Sequence, residues 1–191
     1  MPAKLPERMP VLTADRLRLR PFTLGDAADI QRLAGERDVA ATTLHIPHPY
    51  PDGVAEAWVL SHRGAFERGT ELSLAIVRLA DGVLVGAIGL MISNEDARAE
   101  LGYWIGKPFW GQGYATEAAR ALVAWGFREL GLERIHACHF AGNLASGRVL
   151  QKIGMQHEGL QRSHVLKWGR LEDLELYGML KSDHEALATP G

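Results

Sequence analysis

The sequence predicts a single α+β domain built around a mixed β-sheet. Its 191 residues correspond to one domain, since domains usually contain roughly 100–200 residues. Hydrophobic residues make up 47% and charged residues 23% of the chain, a composition that is typical of soluble globular proteins and excludes wholesale disorder. The hydrophobic period changes from strand to helix, then to a run of strands, and back, with no repeat or low-complexity tract.

The first third of the chain predicts one strand and two helices. Residues 17–22 alternate apolar and charged side chains, which indicates a half-exposed strand. Residues 23–34 have the spacing of an amphipathic helix of about three turns, capped by Thr23. The proline-rich stretch 45–53 can form neither a helix nor a central strand, so it predicts a stiff loop. Apolar residues recur at helical spacing over residues 55–66.

The middle of the chain predicts an antiparallel meander. Residues 71–79 and 83–92 are β-rich runs joined by Ala-Asp-Gly, a strong hairpin signal, and residues 98–106 form a third strand. The remaining predicted elements are a helix that ends at Gly131, a strand at 134–140, a helix at 144–153, and strands at 158–166 and 171–180.

Charge and composition narrow the class of protein. Lys and Arg number 21 against 23 Asp and Glu, a net charge of −2, so no global field attracts nucleic acid or an anionic membrane, and we expect neither as a partner. The single Cys138 excludes an intrachain disulfide and a thiolate metal cluster. The longest apolar run is half of the ~20 residues that span a bilayer. We expect a cytoplasmic protein with a flexible lead-in at 1–12, one domain at 13–182 and a tail at 183–191.

The glycine-rich turn at residues 110–117, WGQGYATE, is the most informative segment. Gly111 and Gly113 let the backbone turn tightly, and the following helix begins with free amides and a positive dipole end. These features predict a phosphate or pyrophosphate site, although a plain turn into a helix would carry the same glycines. A P-loop requires Lys-Ser or Lys-Thr after its glycines, and neither follows here. A dinucleotide fingerprint requires a third glycine, where this chain has Thr116. Neither of these two phosphate-binding motifs therefore matches.

The segment from residue 99 to residue 162, which contains this turn, resembles the GNAT superfamily of N-acetyltransferases. It is most similar to the ribosomal-protein N-terminal acetyltransferases (Rim type), and RLRLRPFTLGDA and IPHPYP nearer the start of the chain extend the match. The resemblance implies the GNAT fold, a twisted mixed sheet of about 6–7 strands, splayed at the acyl-CoA site and flanked by about four helices. It also implies acetyl-CoA as co-substrate, no metal, and a possible homodimer.

The resemblance implies specific cofactor contacts. The family's acyl-CoA loop, Q/R-x-x-G-x-G/A, corresponds to residues 110–115, where Trp110 departs from the first position. The strand that ends with Tyr103, Trp104 and Ile105 would pair its backbone with the pantetheine arm. Asn143 would hydrogen-bond that arm. The pyrophosphate would bind the amides of Gln112, Gly113, Tyr114, Ala115 and Thr116.

Ser146 and Glu100 are the catalytic candidates. Many GNAT enzymes have a Tyr seven residues after the Asn, where this chain has Leu150. The Rim-type pattern has a Ser three residues after it, which Ser146 matches, and a hydroxyl can donate to the leaving thiolate; the alternative is that Ser146 only begins a helix. Alternation puts Glu100 on one strand face with Gly102 and Trp104. There it could accept the amine proton through water, unless it is simply a solvated carboxylate.

Several alternatives stay open on the sequence alone. An N-terminal α-amine, with a pKa of about 7.7–8.0, demands less of a base than a lysine amine of about 10.4, so a protein N-terminus is the leading acceptor. A small amine such as a polyamine, an amino acid or an aminoglycoside is the runner-up, and a non-catalytic CoA-binding module is the rival from another class. Cys138 lacks an evident acid–base pair for a covalent route. Other base candidates are His136, His139, Glu158, His164 and Asp173.

Overall fold

The fold is one mixed sheet with helices packed on both of its faces. The computed structural model describes residues 5–188, so residues 1–4 of the expected lead-in and residues 189–191 of the expected tail lie outside the described residues. Over that range the strands are β1 (Leu12–Thr13), β2 (Leu17–Arg20), β3 (Glu71–Arg78), β4 (Leu84–Ser93), β5 (Arg98–Ile105), β6 (Arg134–Phe140), β7 (Gln156–Lys167) and β8 (Arg170–Leu180). The α-helices are α1 (Ala27–Ala34), α2 (Arg37–Ala41), α3 (Val54–Glu67), α4 (Tyr114–Leu130), α5 (Leu144–Lys152) and α6 (Lys181–Ala188).

The strands lie in the order β1-β2-β3-β4-β5-β6-β8-β7. Every pair is antiparallel except β5 with β6, which are parallel and are connected through α4. These two strands pair at only three positions, from Arg98 with Arg134 to Glu100 with His136. Residues 101–105 and 137–140 then diverge. The predicted mixed sheet with a splay is therefore confirmed, and it opens a cleft at the centre of the sheet.

The numbers of elements differ from the expectation. The sheet has eight strands instead of six or seven, because β1 contains only two residues and carries no readable alternation. Helices α2 and α6 were also not predicted: α2 has only five residues, too few for a clear apolar stripe, and most of α6 lies in residues 183–191, which were expected to be a tail. The helix predicted after Thr23 starts with a 3-10 turn, Leu24–Asp26. Within that capping box, Asp26 accepts from the backbone amide of Thr23 at 2.8 Å.

Two apolar clusters cover the sheet unequally. The larger packs α4 against the central strands, with Leu74, Leu90 and Ile135 among its buried residues. The smaller packs α1 and α3 against Ala75, Val77 and Leu84, which lie at one end of the opposite face. At the other end of that face, Met91 and Gly102 are exposed. The uncovered end adjoins the cleft between β5 and β6, so the two together form one open site.

Candidate functional site

A cavity of about 730 Å³ lies where β5 and β6 separate. A volume of this size is typical of a small-molecule or cofactor site. Its first wall is formed by the glycine-rich loop and the starts of α4 and α5, and its second by β3, β4, β5 and residues 42–47. The expected site residues that line it are Glu100, Tyr103, Trp104, Ile105, Gly113, Tyr114, Ala115, Thr116, Asn143 and Ser146.

Two left-handed glycines shape the loop of the first wall. The φ angles are +74° at Gly111 and +82° at Gly113, a region in which residues with a Cβ are strained. Gly113 is the N-cap of α4, and the first hydrogen bond along that helix runs from the amide of Glu117 to the carbonyl of Gly113 at 3.1 Å. The amides of residues 114–116 therefore have no intrahelical partner and can bind an anion.

Gln112 does not line the cavity, unlike the other loop residues named by the sequence. Its Nε2 donates to the carbonyl of Pro108 at 3.2 Å, and its own carbonyl accepts from Nη1 of Arg16 at 3.1 Å. Arg16 also donates through Nε to Glu117 at 2.8 Å and lies 4.8 Å from the ring centroid of Tyr114. Sequence reasoning missed Arg16 as a brace of the loop, because no local pattern links residues 96 positions apart.

Trp110, which departs from the first position of the family's loop motif, has a structural role of its own. Its indole Nε1 donates to the carbonyl of Ile105 at 2.6 Å, so it ties the loop to the end of β5. The Ile105 carbonyl, which the resemblance would offer to pantetheine, therefore already accepts one hydrogen bond. Along residues 101–105, β5 pairs with β4 and not with β6. One edge of β5 at Tyr103 and Trp104 is thus left without a strand partner.

Asn143 and Ser146 begin α5 at the other side of the cleft. Oδ1 of Asn143 accepts from the backbone amide of Ser146 at 3.2 Å, which is a helix N-cap. The hydroxyl of Ser146 lies 2.8 Å from the hydroxyl of Tyr103 on β5. Burial raises the pKa of Tyr103 to about 12, so this phenol keeps its proton at neutral pH. The sequence analysis named both Tyr103 and Ser146 as site residues, but no sequence pattern indicates that their hydroxyl groups are in contact.

Glu100 lies at the last paired position of β5, where the cleft begins. Its Oε1 accepts from Sγ of Cys138 at 3.5 Å, and its Oε2 is 3.8 Å from Nε2 of His136. Burial, together with this carboxylate, raises the pKa of Cys138 to about 11, so the thiol is protonated and a poor nucleophile. Burial also lowers the pKa of His136. Glu100 therefore contacts two groups that are neutral at neutral pH.

The second wall of the cavity carries carboxylates. Glu71, Met91 and Glu100 occupy one register on β3, β4 and β5, so their side chains share a face of the sheet. Oε1 of Glu71 accepts from the hydroxyl of Ser73 at 2.5 Å. Gly102 lies on the same face, and a Cβ built there would meet nothing within 4 Å. The second wall consequently has open space next to Glu100, at the position of Gly102.

A long-range contact holds residues 42–47 against the cavity. Lys167, at the end of β7, is buried, and its Nζ donates to the carbonyls of Leu44 and Ile46, both at 3.2 Å. Burial lowers the pKa of its ammonium group. The guanidinium of Arg37 lies 5.5 Å from the ring centroid of the neighbouring Trp168. The β7–β8 hairpin tip therefore fixes the loop beside the second wall.

The profile of the acetyltransferase (GNAT) domain matches residues 16–156. This chain belongs to the GNAT family. The GNAT chain is 34% identical over 185 residues to the uncharacterized N-acetyltransferase p20 of Bacillus licheniformis, a match that covers 92% of this chain and 99% of the relative. It is 40% identical over 108 residues to the putative ribosomal N-acetyltransferase YdaF of Bacillus subtilis, over 56% of this chain and 59% of that one.

A solved structure shares the fold of this GNAT protein. It is RimL, the ribosomal L7/L12 alpha-N-protein acetyltransferase, in complex with coenzyme A; the TM-score is 0.82 at 18% identity, over 90% of this chain and 98% of that one. The family places the present chain among acyltransferases and agrees with the predicted N-acetyltransferase class. Within residues 5–188, no helix is long and apolar enough to cross a membrane, and no cluster of potential metal ligands was found.

The other base candidates in this GNAT domain have structural partners or positions away from the cleft. His139 is buried, with Nδ1 2.8 Å from the carbonyl of Phe140 and its ring stacked on Tyr177. Glu158 binds Arg134 at 2.6 Å, and this hydrogen bond lowers the pKa of its carboxyl group. His139 nevertheless lines the cavity, and its buried Nε2 has no hydrogen-bond partner among the described residues, while His136 adjoins Glu100. His164 is exposed on β7, and Asp173 accepts from the amide of Ser163.

Proposed function

We propose that this GNAT protein transfers the acetyl group of acetyl-CoA to the N-terminal α-amine of a protein, by direct attack in a ternary complex. The observation that carries the proposal is the fork between β5 and β6, because one cavity joins the start of α4, Ser146 and Glu100. Backbone amides without intrahelical partners lie at one end of that cavity and carboxylates at the other. The similarity to a putative ribosomal N-acetyltransferase supports a protein acceptor.

The first wall and the free edge of β5, which belongs to the second wall, fit acetyl-CoA. The amides from Gly113 to Thr116 would hold the pyrophosphate, since those at the start of α4 have no intrahelical partner; Gln112, which does not line the cavity, is left out of this site. The free edge of β5 from Tyr103 to Ile105 would bind the amide groups of the pantetheine arm. Asn143 uses its carbonyl oxygen for the helix cap, which leaves its amide nitrogen as a donor to the same arm.

The chemistry divides between two side chains. The neutral amine forms a bond to the acetyl carbon, the C–S bond breaks, and the electron pair stays on sulfur, where the hydroxyl of Ser146 donates a hydrogen bond. The amine releases its proton to Glu100 through water. An α-amine with a pKa of about 7.7–8.0 is partly neutral at pH 7. The carboxylate of Glu100, reached through water, is therefore a sufficient acceptor for the proton.

A small polyamine is the second candidate acceptor. The observation that favours it is the common register of Glu71 and Glu100 across three strands, with the open position of Gly102 two residues beyond Glu100 on the same face. Because β4 lies between β3 and β5, the backbones that carry the two carboxylates are two strand spacings apart, roughly 10 Å, a span that two ammonium groups of one extended, flexible molecule can bridge. A peptide with a basic second residue would meet the same carboxylates.

The test of this function measures binding and turnover separately. Calorimetry should detect acetyl-CoA binding, and a CoA-release assay should show turnover with N-terminal peptides above that with polyamines, amino acids and aminoglycosides. Ser146→Ala should lower kcat by about 100-fold and leave acetyl-CoA affinity unchanged. Binding without release of CoA from any amine would instead identify a non-catalytic module. Faster turnover of polyamines would replace the α-amine with the second candidate.

Further properties remain proposals with their own tests. We propose a cytoplasmic location and a homodimer, and we propose that one domain spans residues 13–182. Size-exclusion chromatography with light scattering would determine the molecular mass in solution and so distinguish a monomer from a homodimer. Limited proteolysis followed by mass spectrometry would show whether cleavage is confined to residues outside that range.

A further inference from the structure

We infer that Tyr103 is a positioning residue for Ser146: its phenolic O–H donates to Oγ of Ser146 and so directs the serine's own hydrogen toward the thioester sulfur. The inference rests on the proposed function, because the sulfur in question is that of acetyl-CoA. It assigns a task to the side chain of Tyr103, whereas the expected cofactor contact of this residue uses its backbone.

The geometry restricts what the Tyr103 hydroxyl can do. It has two oxygen atoms of Ser146 within reach, Oγ at 2.8 Å and the backbone carbonyl at 3.4 Å. The shorter distance is that of a normal O–H···O bond, and the longer one is outside the usual range. Ser146 is fixed independently through its amide, which Asn143 caps. The serine hydroxyl is therefore held between β5 and α5, the two elements that border the cleft.

The direction of this hydrogen bond decides whether Ser146 can assist the leaving group. A hydroxyl carries one hydrogen and two acceptor positions. If Ser146 donated to Tyr103, it would have no hydrogen left for sulfur; if Tyr103 donates, the serine hydrogen is available. Because burial raises the pKa of Tyr103 to about 12, the phenol keeps its O–H throughout the neutral range and has a hydrogen to donate to Oγ at 2.8 Å. Donation to Ser146 also strengthens the bond that the serine donates onward.

The pair donates hydrogen bonds and transfers no proton. A thiol has a pKa near 8.5, well below that of Tyr103, so moving the tyrosine proton to the CoA thiolate would be unfavourable. The amine nitrogen gains the acetyl carbon, sulfur keeps the electron pair of the broken C–S bond, and the proton lost by the amine goes to Glu100 through water. The measurable consequence is that bound CoA should have a lowered thiol pKa.

The experiment titrates the thiol of CoA on the protein, and it needs no acceptor amine. All variants carry Cys138→Ala, which removes the single cysteine, so the thiolate absorbance in the ultraviolet comes from CoA alone. Tyr103→Phe keeps the ring and removes the O–H. We expect this change to raise the pKa of the bound thiol by about one unit, the size of one hydrogen bond. The double variant with Ser146→Ala should titrate like Ser146→Ala alone.

Tyr177→Phe is the matched control. Tyr177 is also buried, and its hydroxyl accepts from Nε2 of Gln151 on α5 at 3.1 Å, but it does not contact Ser146. Its removal should leave the thiol pKa unchanged. In turnover, Tyr103→Phe should lower kcat about tenfold and leave KM for acetyl-CoA within about twofold, since the lost contact matters most in the transition state.

The outcomes separate this inference from the proposed function. An unchanged thiol pKa in Tyr103→Phe would overturn it, as would a further rise when Tyr103→Phe is added to Ser146→Ala, because Tyr103 would then act independently. A shifted thiol pKa with no amine acetylated would support the inference and contradict the proposed acceptor. A protein that does not bind CoA would overturn both.

Discussion

The two walls of the cavity are built in opposite ways. The first wall consists of contiguous segments, the loop at 110–117 and the start of α5, and offers mainly backbone groups and helix ends. The second wall collects side chains from β3, β4 and β5, and it depends on a loop that Lys167 holds from more than 120 residues away. Backbone amides bind the invariant part of a ligand, whereas side chains on adjacent strands can differ without any change of fold.

This contrast predicts different consequences of substitution. A change in the first wall should weaken acetyl-CoA binding and reduce turnover with every amine. A side-chain change on the face of the second wall that carries the carboxylates, away from the backbone edge of β5 that would bind pantetheine, should alter which amine is preferred and leave acetyl-CoA affinity intact.

Gly113→Val should have the largest effect, an increase of about 100-fold in the dissociation constant for acetyl-CoA. At φ +82° a β-branched side chain is strained, and relief of that strain would turn the loop amides away from the pyrophosphate. Loss of two charge-assisted hydrogen bonds is worth about tenfold in affinity each. Calorimetry with acetyl-CoA measures the change.

Gly82→Val is the matched control for backbone strain. Gly82 has φ +75° in the turn between β3 and β4, and an added Cβ there meets nothing within 4 Å. It should lower the free energy of unfolding by about 1–2 kcal/mol while acetyl-CoA affinity stays the same. If Gly113→Val binds acetyl-CoA as tightly as this control does, the first wall does not depend on the backbone of the loop.

Gly102→Leu should act on the second wall and raise KM for the acceptor by about tenfold. A side chain at this exposed position enters the open space beside Glu100 on the same face of the sheet, and displaced contacts of this size cost roughly 1–2 kcal/mol. Steady-state kinetics with acceptors of increasing size should show an effect that grows with the acceptor. Gly102→Ala provides the graded control, because it adds one carbon to the same space. An equal loss of acetyl-CoA affinity would mean that the two walls are not separate.

The same contrast explains how much could be predicted from the sequence. Hairpins with tight turns, and helices with caps, depend on neighbouring residues, so the sequence predicts β3 to β5, α4 and α5. The loop glycines, Asn143 and Ser146 also lie at fixed local spacings. In contrast, Arg16 and the Tyr103–Ser146 contact depend on how distant segments pack, and a single sequence carries no record of that packing.

The second wall was the harder part to predict. Alternation correctly put Glu100 on the face of Gly102, but it could not show that Glu71 shares the register, because strand pairing is set by the whole sheet. Short elements such as β1 and α2 owe their structure to tertiary contacts. The general rule is that contiguous sites are readable, whereas sites assembled from several strands require coordinates.

Lys167→Met should produce a smaller effect on the second wall. Methionine keeps the apolar length of the side chain but removes both hydrogen bonds to Leu44 and Ile46. We expect KM for the acceptor to rise about threefold, and the thermal midpoint to fall by about 2–4 °C, since one to two hydrogen bonds are lost. Arg170→Met, which removes an exposed cation from the same hairpin, is the control. Unaltered acceptor kinetics in Lys167→Met would show that the loop at 42–47 does not bound the acceptor site.

His62→Phe should have the smallest effect, seen only as a change in pH dependence. His62 is buried under the second wall, its ring lies 4.3 Å from that of Trp58, and neither ring nitrogen has a hydrogen-bond partner among the described residues. Burial lowers the pKa of its imidazole, so the unfolded chain binds the proton more readily than the folded protein. Stability is therefore retained above the unfolded pKa of about 6.5 and is lost as the pH falls through the lower folded pKa.

The measurement is thermal unfolding of the wild type and of His62→Phe at pH 7.5 and at pH 5. The thermal midpoint should fall between the two pH values in both proteins, and the fall should be about 2–4 °C smaller in His62→Phe. His62→Leu is the control: it also removes the titrating group but loses the ring contact with Trp58. It should share the flatter pH dependence and have a lower thermal midpoint at both pH values. Parallel pH curves for all three proteins would contradict the presence of a titrating group buried beneath the second wall.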